Sequence, residues 1–426
     1  MNSRLSAISL VCASLAVAAI PGYASSSKTP PAAPPAVSTY TFAETIVMKK
    51  GGQPTAVTQR KPWLPSTATT PAERSRATTE ASKVKEPTIK KASPTMWTAQ
   101  YKLYVNCPTA PSDVNFVGPN AIQNAVFAAL PYTTIQVCYG FEGAGGVVVP
   151  TSYVKILGQG DHQGDQTILG GLGGDFGIVL LGSYDVVENL TFQNLEFGVL
   201  TGVILQDQFN VVDMNWFNTV GLGVGSLLGN NTLIENNTFD FNVFPIVDAG
   251  GVSETIWNNN ISGNGTAAGS EGIFLIDSID STVTSNVVAN SWTGLALVLG
   301  NTYATIENNH FDGNGYGVYN VLANSGNLFE KNQVNGNFFD GIASDQTTGL
   351  DDPINSGVNK FEKNTTLGNG SIFGGCFSGP AVGCDIIDLT AGYTGPAEGN
   401  NEETANYYSG NTGDLYSSYP IDIYQQ

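Results

Sequence analysis

A six-residue pattern, IENNTF at positions 234–239, recurs along the second half of the chain. Its copies begin at Val187, Val212, Ile234, Ile256, Val283, Ile306, Phe329 and Phe361. Successive copies therefore start 25, 22, 22, 27, 23, 23 and 32 residues apart. Repeats of this length are usually single structural units that stack on their neighbours and share one core. The pattern predicts a solenoid.

The two apolar ends of the pattern predict a corner inside it. Ile234 and Phe239 are five residues apart, so on one continuous strand they would face opposite sides. Asn236 and Asn237 lie between them, and asparagine tolerates the left-handed backbone of a tight corner. With a corner there, both apolar side chains point inward. The asparagines in the column of Asn237 are then expected to form a hydrogen-bonded ladder, at Asn215, Asn237, Asn259, Asn286, Asn309, Asn332 and Asn364.

A second segment, which opens on glycine, precedes each copy. It begins at Gly177, Gly202, Gly272, Gly294, Gly317 and Gly341. Three short strands per turn of about 22 residues, at ~3.3 Å per residue, give a perimeter of ~70 Å around one filled core. Upstream, residues 120–130 have helical periodicity with Asn120 as the cap, and residues 133–140, 152–160 and 166–171 are predicted to make a first coil.

The N-terminal hundred residues differ from the rest in composition. Residues 1–24 combine Arg4, an apolar run and a small-residue cleavage site, as in a secretory signal peptide, and no other segment resembles a membrane span. Residues 25–100 are basic and rich in Pro, Thr and Lys, which predicts a disordered extension. Such an extension is either a cationic tether or a solvated spacer.

The segment from 101 to 426 is predicted to be one domain, and it is strongly acidic. It holds 32 acidic residues against five lysines, a net charge of 5 − 32 = −27, which argues against nucleic-acid binding. Four cysteines remain after position 24, and we expect Cys107 to pair with Cys138 and Cys376 with Cys384, although three connectivities are available. Their spacing does not fit a zinc site.

From about residue 120 to 423 the chain resembles the right-handed parallel β-helix repeat proteins of the pectin-lyase-like superfamily. The resemblance rests on the short opening helix, the QTILGG segment, the asparagine-cornered coils and the closing segments CDIIDL and NYYSGNTGD. It implies an all-β, right-handed parallel β-helix of about 9–10 coils with an N-terminal capping helix. No single activity follows, because the family includes lyases, hydrolases, epimerases and adhesins.

The motifs of the family's well-defined enzymes are missing from the sequence. Pectate-lyase-like elimination would use clustered carboxylates with calcium and an arginine base, yet no arginine follows Arg76. Lys331 and Lys363 each follow a glutamate and are expected to form surface ion pairs. His310 is expected on an outward strand position, and His162 lies between two aspartates in a polar loop. Asp351 and Asp352 lie in a long insertion and are interpreted as loop residues.

Four aspartates follow the glycine-led or Pro245-led strands at similar places: Asp207, Asp248, Asp277 and Asp345. If they line one edge, Asp248 and Asp277 would lie ~5 Å apart and Asp207 and Asp248 ~10 Å apart, a range that brackets glycosidase carboxylate separations. The predicted catalytic set is Asp248 and Asp277, assisted by Asp207 or Asp280. The alternative is that aspartate simply favours turns.

A second acidic column follows the first apolar column by one residue: Glu188, Asp213, Glu235, Glu307, Glu330 and Glu362. Trp257 interrupts it, and Trp216 and Trp292 are near in coil terms. Aromatic rings beside carboxylates suit sugar stacking, whereas a lone surface tryptophan is often only partly buried packing.

The sequence therefore predicts an exported β-helix protein that contacts extracellular or envelope polysaccharide, either as a binding surface or as a hydrolase or lyase. The competing prediction is a structural or adhesive repeat protein without catalysis. No cofactor follows from the sequence, and Ca²⁺ is the ion that stacked carboxylates would hold. The sequence does not define the oligomeric state.

Overall fold

A computed structural model describes the solenoid with several gaps. The described residues are 98–118, 120–138, 140–143, 146–160, 167–170, 176–202, 208–263, 270–321, 324, 326–345, 359–369, 386–388, 407–409, 411–412 and 415–417. A separate antiparallel pair joins Ile46–Val47 to Gln59–Arg60. The predicted signal peptide, most of the basic extension, and Cys376 and Cys384 lie outside the described residues.

The chain winds into an all-parallel, right-handed β-solenoid of about eight turns, so the predicted fold is confirmed, with somewhat fewer turns than the 9–10 expected. Within the described ranges, three parallel sheets of 11, 13 and eight strands form its walls, and we call them sheets 1, 2 and 3. Among the described residues no helix is long and apolar enough to cross a membrane.

Sheet 1 contains the longest strands of the solenoid, up to six residues. They are Val147–Val149, Phe176–Leu180, Phe197–Thr201, Leu222–Leu227, Phe244–Ala249, Glu271–Ile276, Thr293–Val298, Tyr316–Val321, Ile342–Asp345, Ile386–Asp388 and Leu415–Ser417.

Sheets 2 and 3 are built mostly from three-residue strands on either side of the asparagine corner. Sheet 2 consists of Tyr101–Val105, Asn115–Phe116, Thr133–Val137, Val154–Leu157, Val186–Glu188, Val211–Asp213, Leu233–Glu235, Thr255–Trp257, Thr282–Thr284, Thr305–Glu307, Leu328–Glu330, Lys360–Glu362 and Tyr407–Ser409. Sheet 3 consists of Gly140–Gly143, Thr167–Gly170, Thr191–Gln193, Trp216–Asn218, Thr238–Asp240, Asn260–Ser262, Val287–Ala289 and His310–Asp312.

The corner predicted within IENNTF is present. Ile234 on sheet 2 and Phe239 on sheet 3 are both fully buried, and Asn236 between them has φ 56°. Phe239 stacks on Phe217 with ring centroids 4.8 Å apart, so identical columns pack face to face along the axis. Burying both columns removes their apolar surface from water, which is the main favourable term in folding.

The expected asparagine ladder is also confirmed. The Asn237 backbone N–H donates to Asn259 Oδ1 at 3.0 Å, and Asn237 Nδ2 donates to the same oxygen at 3.0 Å and to the Val212 carbonyl at 2.8 Å. The same arrangement continues through Asn286, Asn309, Asn332, Asn364 and Asn411. Each buried amide thus satisfies the backbone groups that a strand gives up at the corner.

The glycine column that opens the sheet 1 strands contains Gly198 rather than the predicted Gly202. A Cβ at Gly198 would lie 2.5 Å from the Gly223 carbonyl oxygen and 2.6 Å from the Phe217 ring, so no side chain fits there. Gly202 instead follows a strand and has φ 73°.

Two expectations for the first turns need correction. Thr133–Val137 and Val154–Leu157 pair with each other on sheet 2, so they belong to successive coils, and Gly140–Gly143 and Val147–Val149 complete the first one. The predicted helix is present as Ala121–Ala128, but the Asn120 side chain makes no capping hydrogen bond. A disulfide joins Cys107 to Cys138, with Cα atoms 5.1 Å apart.

Candidate functional site

The outer face of sheet 1 is apolar, although it lies outside the main core. Leu222, Val247, Ala249 and Ile276 form a second buried cluster there. Phe197, Leu200, Leu227, Phe244 and Phe274 pack against it and stay partly exposed. Large apolar clusters on the outside of soluble proteins commonly mark interaction sites.

Four aromatic side chains continue this face in the later turns, and we call them the aromatic cluster: Trp292, Tyr316, Tyr319 and Phe339. Trp292 lies edge-on to Phe339 with ring centroids 5.1 Å apart, and Tyr316 stacks on Phe339 at 4.9 Å. Tyr319 lies 5.3 Å from Tyr316. All four are partly exposed, so the cluster presents ring surface to solvent.

Glu271 begins the sheet 1 strand Glu271–Ile276, whose Phe274 and Ile276 belong to the apolar face and which is next to the strand that follows Trp292. It pairs with Thr293, and the register that joins Ile246 to Ile273 places it beside Phe244. The residue is partly exposed, but its Oε2 is shielded from solvent and has no hydrogen-bond partner. Burial raises the pKa of Glu271 to about 7, and the Thr293 hydrogen bond only partly offsets this. A carboxyl with such a pKa can donate or accept a proton near neutral pH.

The structure does not bring the predicted catalytic aspartates together. Asp248 pairs with Leu275 and is fully buried inside the solenoid. Asp277 lies two residues beyond Leu275, exposed, with φ 50°. The two carboxylates therefore point to different sides of the wall, and the predicted ~5 Å juxtaposition on one edge is wrong.

The other candidate residues from the sequence do not join Asp248 or Asp277 at one site. Asp280 is exposed at a turn, where it accepts a hydrogen bond from Ser253 Oγ at 3.2 Å. Asp207, His162, Asp351 and Asp352 lie outside the described residues. Asp345 pairs with Val321 at the end of its strand.

The three tryptophans predicted to bind sugar lie on three different sides of the solenoid, and Trp292 directly precedes the sheet 1 strand Thr293–Val298. Trp257 is on sheet 2, between Glu235 and Thr284. Trp216 is on sheet 3, and its Nε1 donates to Asp240 Oδ2 at 2.8 Å. Only Trp292 belongs to the aromatic cluster, so a single ligand chain on one face cannot stack on all three.

The acidic column is on the outer face of sheet 2, and lysines neutralise part of it. Lys331 Nζ lies 2.9 Å from Glu330 Oε1 and 3.4 Å from Glu307, and Lys363 Nζ lies 3.3 Å from Glu330. The ion pairs expected for both lysines are confirmed. His310 is exposed on sheet 3, as predicted.

Sequence reasoning missed Glu271, although a signal was available. The residue before each column glycine is Phe176, Phe197, Leu222, Glu271, Thr293, Tyr316 and Asp340, with Phe244 before Pro245 in the same place. Glu271 and Asp340 are the acidic members of this column, and they are three strands apart. In the part of the chain that the structure describes, no three His, Cys, Asp or Glu side chains are grouped to hold a metal ion.

Several solved structures resemble this solenoid. The A-module of the mannuronan C-5 epimerase AlgE4 of Azotobacter vinelandii is 16% identical, with a TM-score of 0.45 over 58% of this chain and 72% of that one. An alginate lyase of Paenibacillus sp. is 13% identical, with a TM-score of 0.41 over 72% and 96%. The Dettilon tailspike protein is 14% identical, with a TM-score of 0.49 over 75% of this chain and 63% of its own.

These similarities concern the fold, which is shared by proteins with many activities. A comparison with curated protein sequences finds no significant match. The family model of the right-handed beta helix region matches residues 176–334 and 247–411, which together span 176–411, or 236 of 426 residues. The chain therefore belongs to the right-handed β-helix family.

Proposed function

We propose that this protein binds polysaccharide along the outer face of sheet 1, at the aromatic cluster and Glu271. The observation that carries the proposal is the partly exposed group of Trp292, Tyr316, Tyr319 and Phe339 on one wall of a rigid solenoid. Sugar rings have apolar faces that stack on aromatic side chains, and a few polar groups then set orientation.

The negative charge of the domain favours a neutral polysaccharide over an anionic one as the ligand. Residues 101–426 have a net charge of −27, and the sheet 1 face has Glu271 but no described lysine beside it. A polyuronate would meet repulsion from this field, whereas a neutral polysaccharide would not. We therefore propose a neutral glycan as the ligand.

Glu271 is the group on this face that can exchange a proton with a bound sugar. Burial raises its pKa to about 7, so its carboxyl changes protonation state near neutral pH. Asp340 is in the same column but three strands away, roughly 14 Å along the axis, and Asp248 is buried inside the wall, so neither lies beside Glu271. The proposal therefore assigns sugar binding to the aromatic cluster and proton transfer to Glu271.

Binding is tested by titrating the full chain with neutral and uronic-acid polysaccharides. We expect a neutral glycan to bind, and Trp292→Ala to weaken it about fivefold or more, since one aromatic contact contributes ~1 kcal/mol. Trp257→Ala on sheet 2 is the matched control and should change the Kd by less than about twofold. Absence of glycan binding, or an equal loss in both variants, would overturn the proposal.

The role of Glu271 is tested in the same preparation with Glu271→Gln. If the wild type releases reducing ends from the neutral glycan, the variant should lose that release and keep its Kd. Turnover that survives Glu271→Gln would remove Glu271 from the site. Binding without any product from the wild type would define a binding protein.

We further propose that the protein works outside the cytoplasm. The Cys107–Cys138 disulfide supports this, because such bonds persist in oxidising compartments. The mature chain should then begin at Ser25, which N-terminal sequencing of protein from the native host would show. A mature protein that retains Met1 would contradict export by this signal.

A further inference from the structure

The inner corner between sheets 1 and 2 lacks asparagine in four consecutive turns. In later turns Asn327 and Asn359 fill it, with Asn327 Nδ2 donating to Asn359 Oδ1 at 2.9 Å. The corresponding places in the four preceding turns hold Thr232, Glu254, Ser281 and Ala304, as the backbone hydrogen bonds between successive turns show. A carboxylate thus replaces a neutral amide inside the solenoid.

A second carboxylate, Asp248, lies at the same corner. Asp248 and Glu254 are both 0% exposed. Ser281 Oγ donates to Asp248 Oδ2 at 2.9 Å, but Asp248 Oδ1, both Glu254 oxygens and Ser226 Oγ have no hydrogen bond of good geometry. The Ser226 and Thr232 hydroxyls lie near the Glu254 carboxyl and offset only part of the cost of burying it. Burying an unpaired carboxylate is costly, so these oxygens require a compensating positive charge or proton.

The oxygens converge on one place. A Cβ at Gly229 would lie 2.4 Å from Ser226 Oγ, 2.6 Å from Glu254 Oε1 and 2.9 Å from Thr232 Oγ1, so these oxygens are at most 2.6 + 2.9 = 5.5 Å apart. Gly251 leaves room in the same way next to Asp248, because a Cβ at Gly251 would lie 2.1 Å from Asp248 Oδ1. Two glycines thus leave the room that the carboxylates occupy.

We propose that Asp248, Glu254, Ser226 and Thr232 bind a hard divalent cation of the Ca²⁺ type inside the solenoid. Two carboxylates and two hydroxyls supply six oxygens, which is within the range that Ca²⁺ coordinates. The double charge of the ion neutralises both carboxylates, whereas one shared proton neutralises half of that charge.

The site is independent of the sheet 1 outer face, because Asp248 points to the opposite side of the wall from Val247 and Ala249. Its role is to lock the middle turns together. A protein that fails to bind glycan could therefore still bind the ion, and a protein without the ion could still bind glycan.

The test measures metal content and thermal unfolding of the full chain. Protein purified without chelator should contain about one Ca²⁺ per chain by elemental analysis. After chelation, Ca²⁺ at pH 7.5 should raise the Tm by about 5–10 °C at a hundredfold excess over its Kd, and the rise should grow with the logarithm of its concentration.

Two double variants, each replacing two carboxylates by neutral amides, test where the ion binds. Asp248→Asn with Glu254→Gln should lose both the metal and the Tm shift, while Asp277→Asn with Asp280→Asn, which changes two exposed carboxylates, should keep both. Should the first pair fail to fold, Ser226→Ala preserves the charges and should weaken the Ca²⁺ response.

Two results would overturn the proposal. In the first, the double variant Asp248→Asn with Glu254→Gln still contains the metal and still shows the Tm shift, which would place the ion elsewhere. In the second, the wild-type protein contains no metal and shows no Tm shift, and its stability rises as the pH falls through about 6. That result would show that protons alone neutralise the two carboxylates.

Discussion

Glu271 on sheet 1 and Glu330 on sheet 2 have the same side chain on the outer wall of the same solenoid, yet their pKa values shift in opposite directions. At Glu271, burial raises the pKa to about 7. At Glu330, burial also raises it, but hydrogen bonds and charge from Lys331 and Lys363 outweigh burial and lower the pKa overall. The backbone is a parallel ladder at both places, so the difference comes from the neighbours.

On sheet 2, lysines pair with part of the acidic column, as at Glu188 and Glu330. Such ion pairs keep a solvent-facing wall soluble. Sheet 1 has aromatic and aliphatic residues with a carboxyl that no lysine compensates. If this face needed only to be soluble, charged residues in ion pairs, as on sheet 2, would serve better than exposed apolar ones. The apolar face, and a Glu271 without a lysine beside it among the described residues, are the reasons for proposing sheet 1 as the ligand-binding side.

The largest effect should come from breaking the frame that both faces share. Asn259→Ala removes an acceptor for the Asn237 N–H at 3.0 Å and donors to the Ile234 carbonyl and Asn286 Oδ1 at 2.9 and 3.0 Å. Leaving these buried groups unpaired should lower the free energy of unfolding by about 3–5 kcal/mol. Chemical denaturation measures this, and exposed Asn260→Ala is the control, expected within ~0.5 kcal/mol. Equal losses would refute the ladder as the main support.

The next effect separates the two glutamates by pH. The folded pKa of Glu271, about 7, exceeds its unfolded value near 4.5, so the folded state binds more protons between these pH values. Stability should fall as the pH rises from about 4.5 to 7, and Glu271→Gln should remove about 3 kcal/mol of that loss.

Glu330→Gln should behave in the opposite way. Its folded pKa is lowered, so its carboxylate stabilises the protein above the unfolded pKa and that stabilisation is lost as the pH falls. Urea unfolding of both variants at pH 4 and pH 8 makes the comparison. Identical pH profiles would mean that the two environments do not differ.

A smaller effect is expected on the pKa of Glu271 when its hydrogen-bond partner Thr293 is replaced. Its hydrogen bond with Thr293 lowers its pKa, so Thr293→Val should raise that pKa further by about half a unit to one unit. Carboxyl ¹³C NMR titration reads the value directly. Thr305→Val on sheet 2 is the matched control and should leave Glu271 unchanged, whereas a lower pKa in Thr293→Val would be inconsistent with this hydrogen bond.

The smallest effect should be on the ion pairs of sheet 2. Lys331→Ala removes contacts of 2.9 Å to Glu330 and 3.4 Å to Glu307, and it should cost less than about 1 kcal/mol. The cost should shrink in 1 M salt, because screening weakens exposed pairs. A loss that salt does not change would indicate that the lysine stem, rather than its charge, stabilises the wall.

The inner half of this structure could be predicted from sequence because it repeats. Ile234, Asn237 and Phe239 recur with the same chemistry in turn after turn, so their burial and ladder follow from the spacing. The outer half could not, because adjacent residues on a strand face opposite sides and a small error in register moves a side chain to the other face. Asp248 and Asp277 illustrate this, since their similar places after a strand suggest one edge, yet Asp248 is buried and Asp277 is exposed.

Hydroxyl-radical footprinting with and without a neutral polysaccharide tests the central claim most directly, because the protein has a tryptophan on each wall. Our account predicts that glycan protects Trp292 and Tyr316 on sheet 1 from oxidation, while Trp257 on sheet 2 and Trp216 on sheet 3 are oxidised as before. Protection of Trp257 or Trp216 with Trp292 unchanged would contradict the assignment of sheet 1 as the binding face.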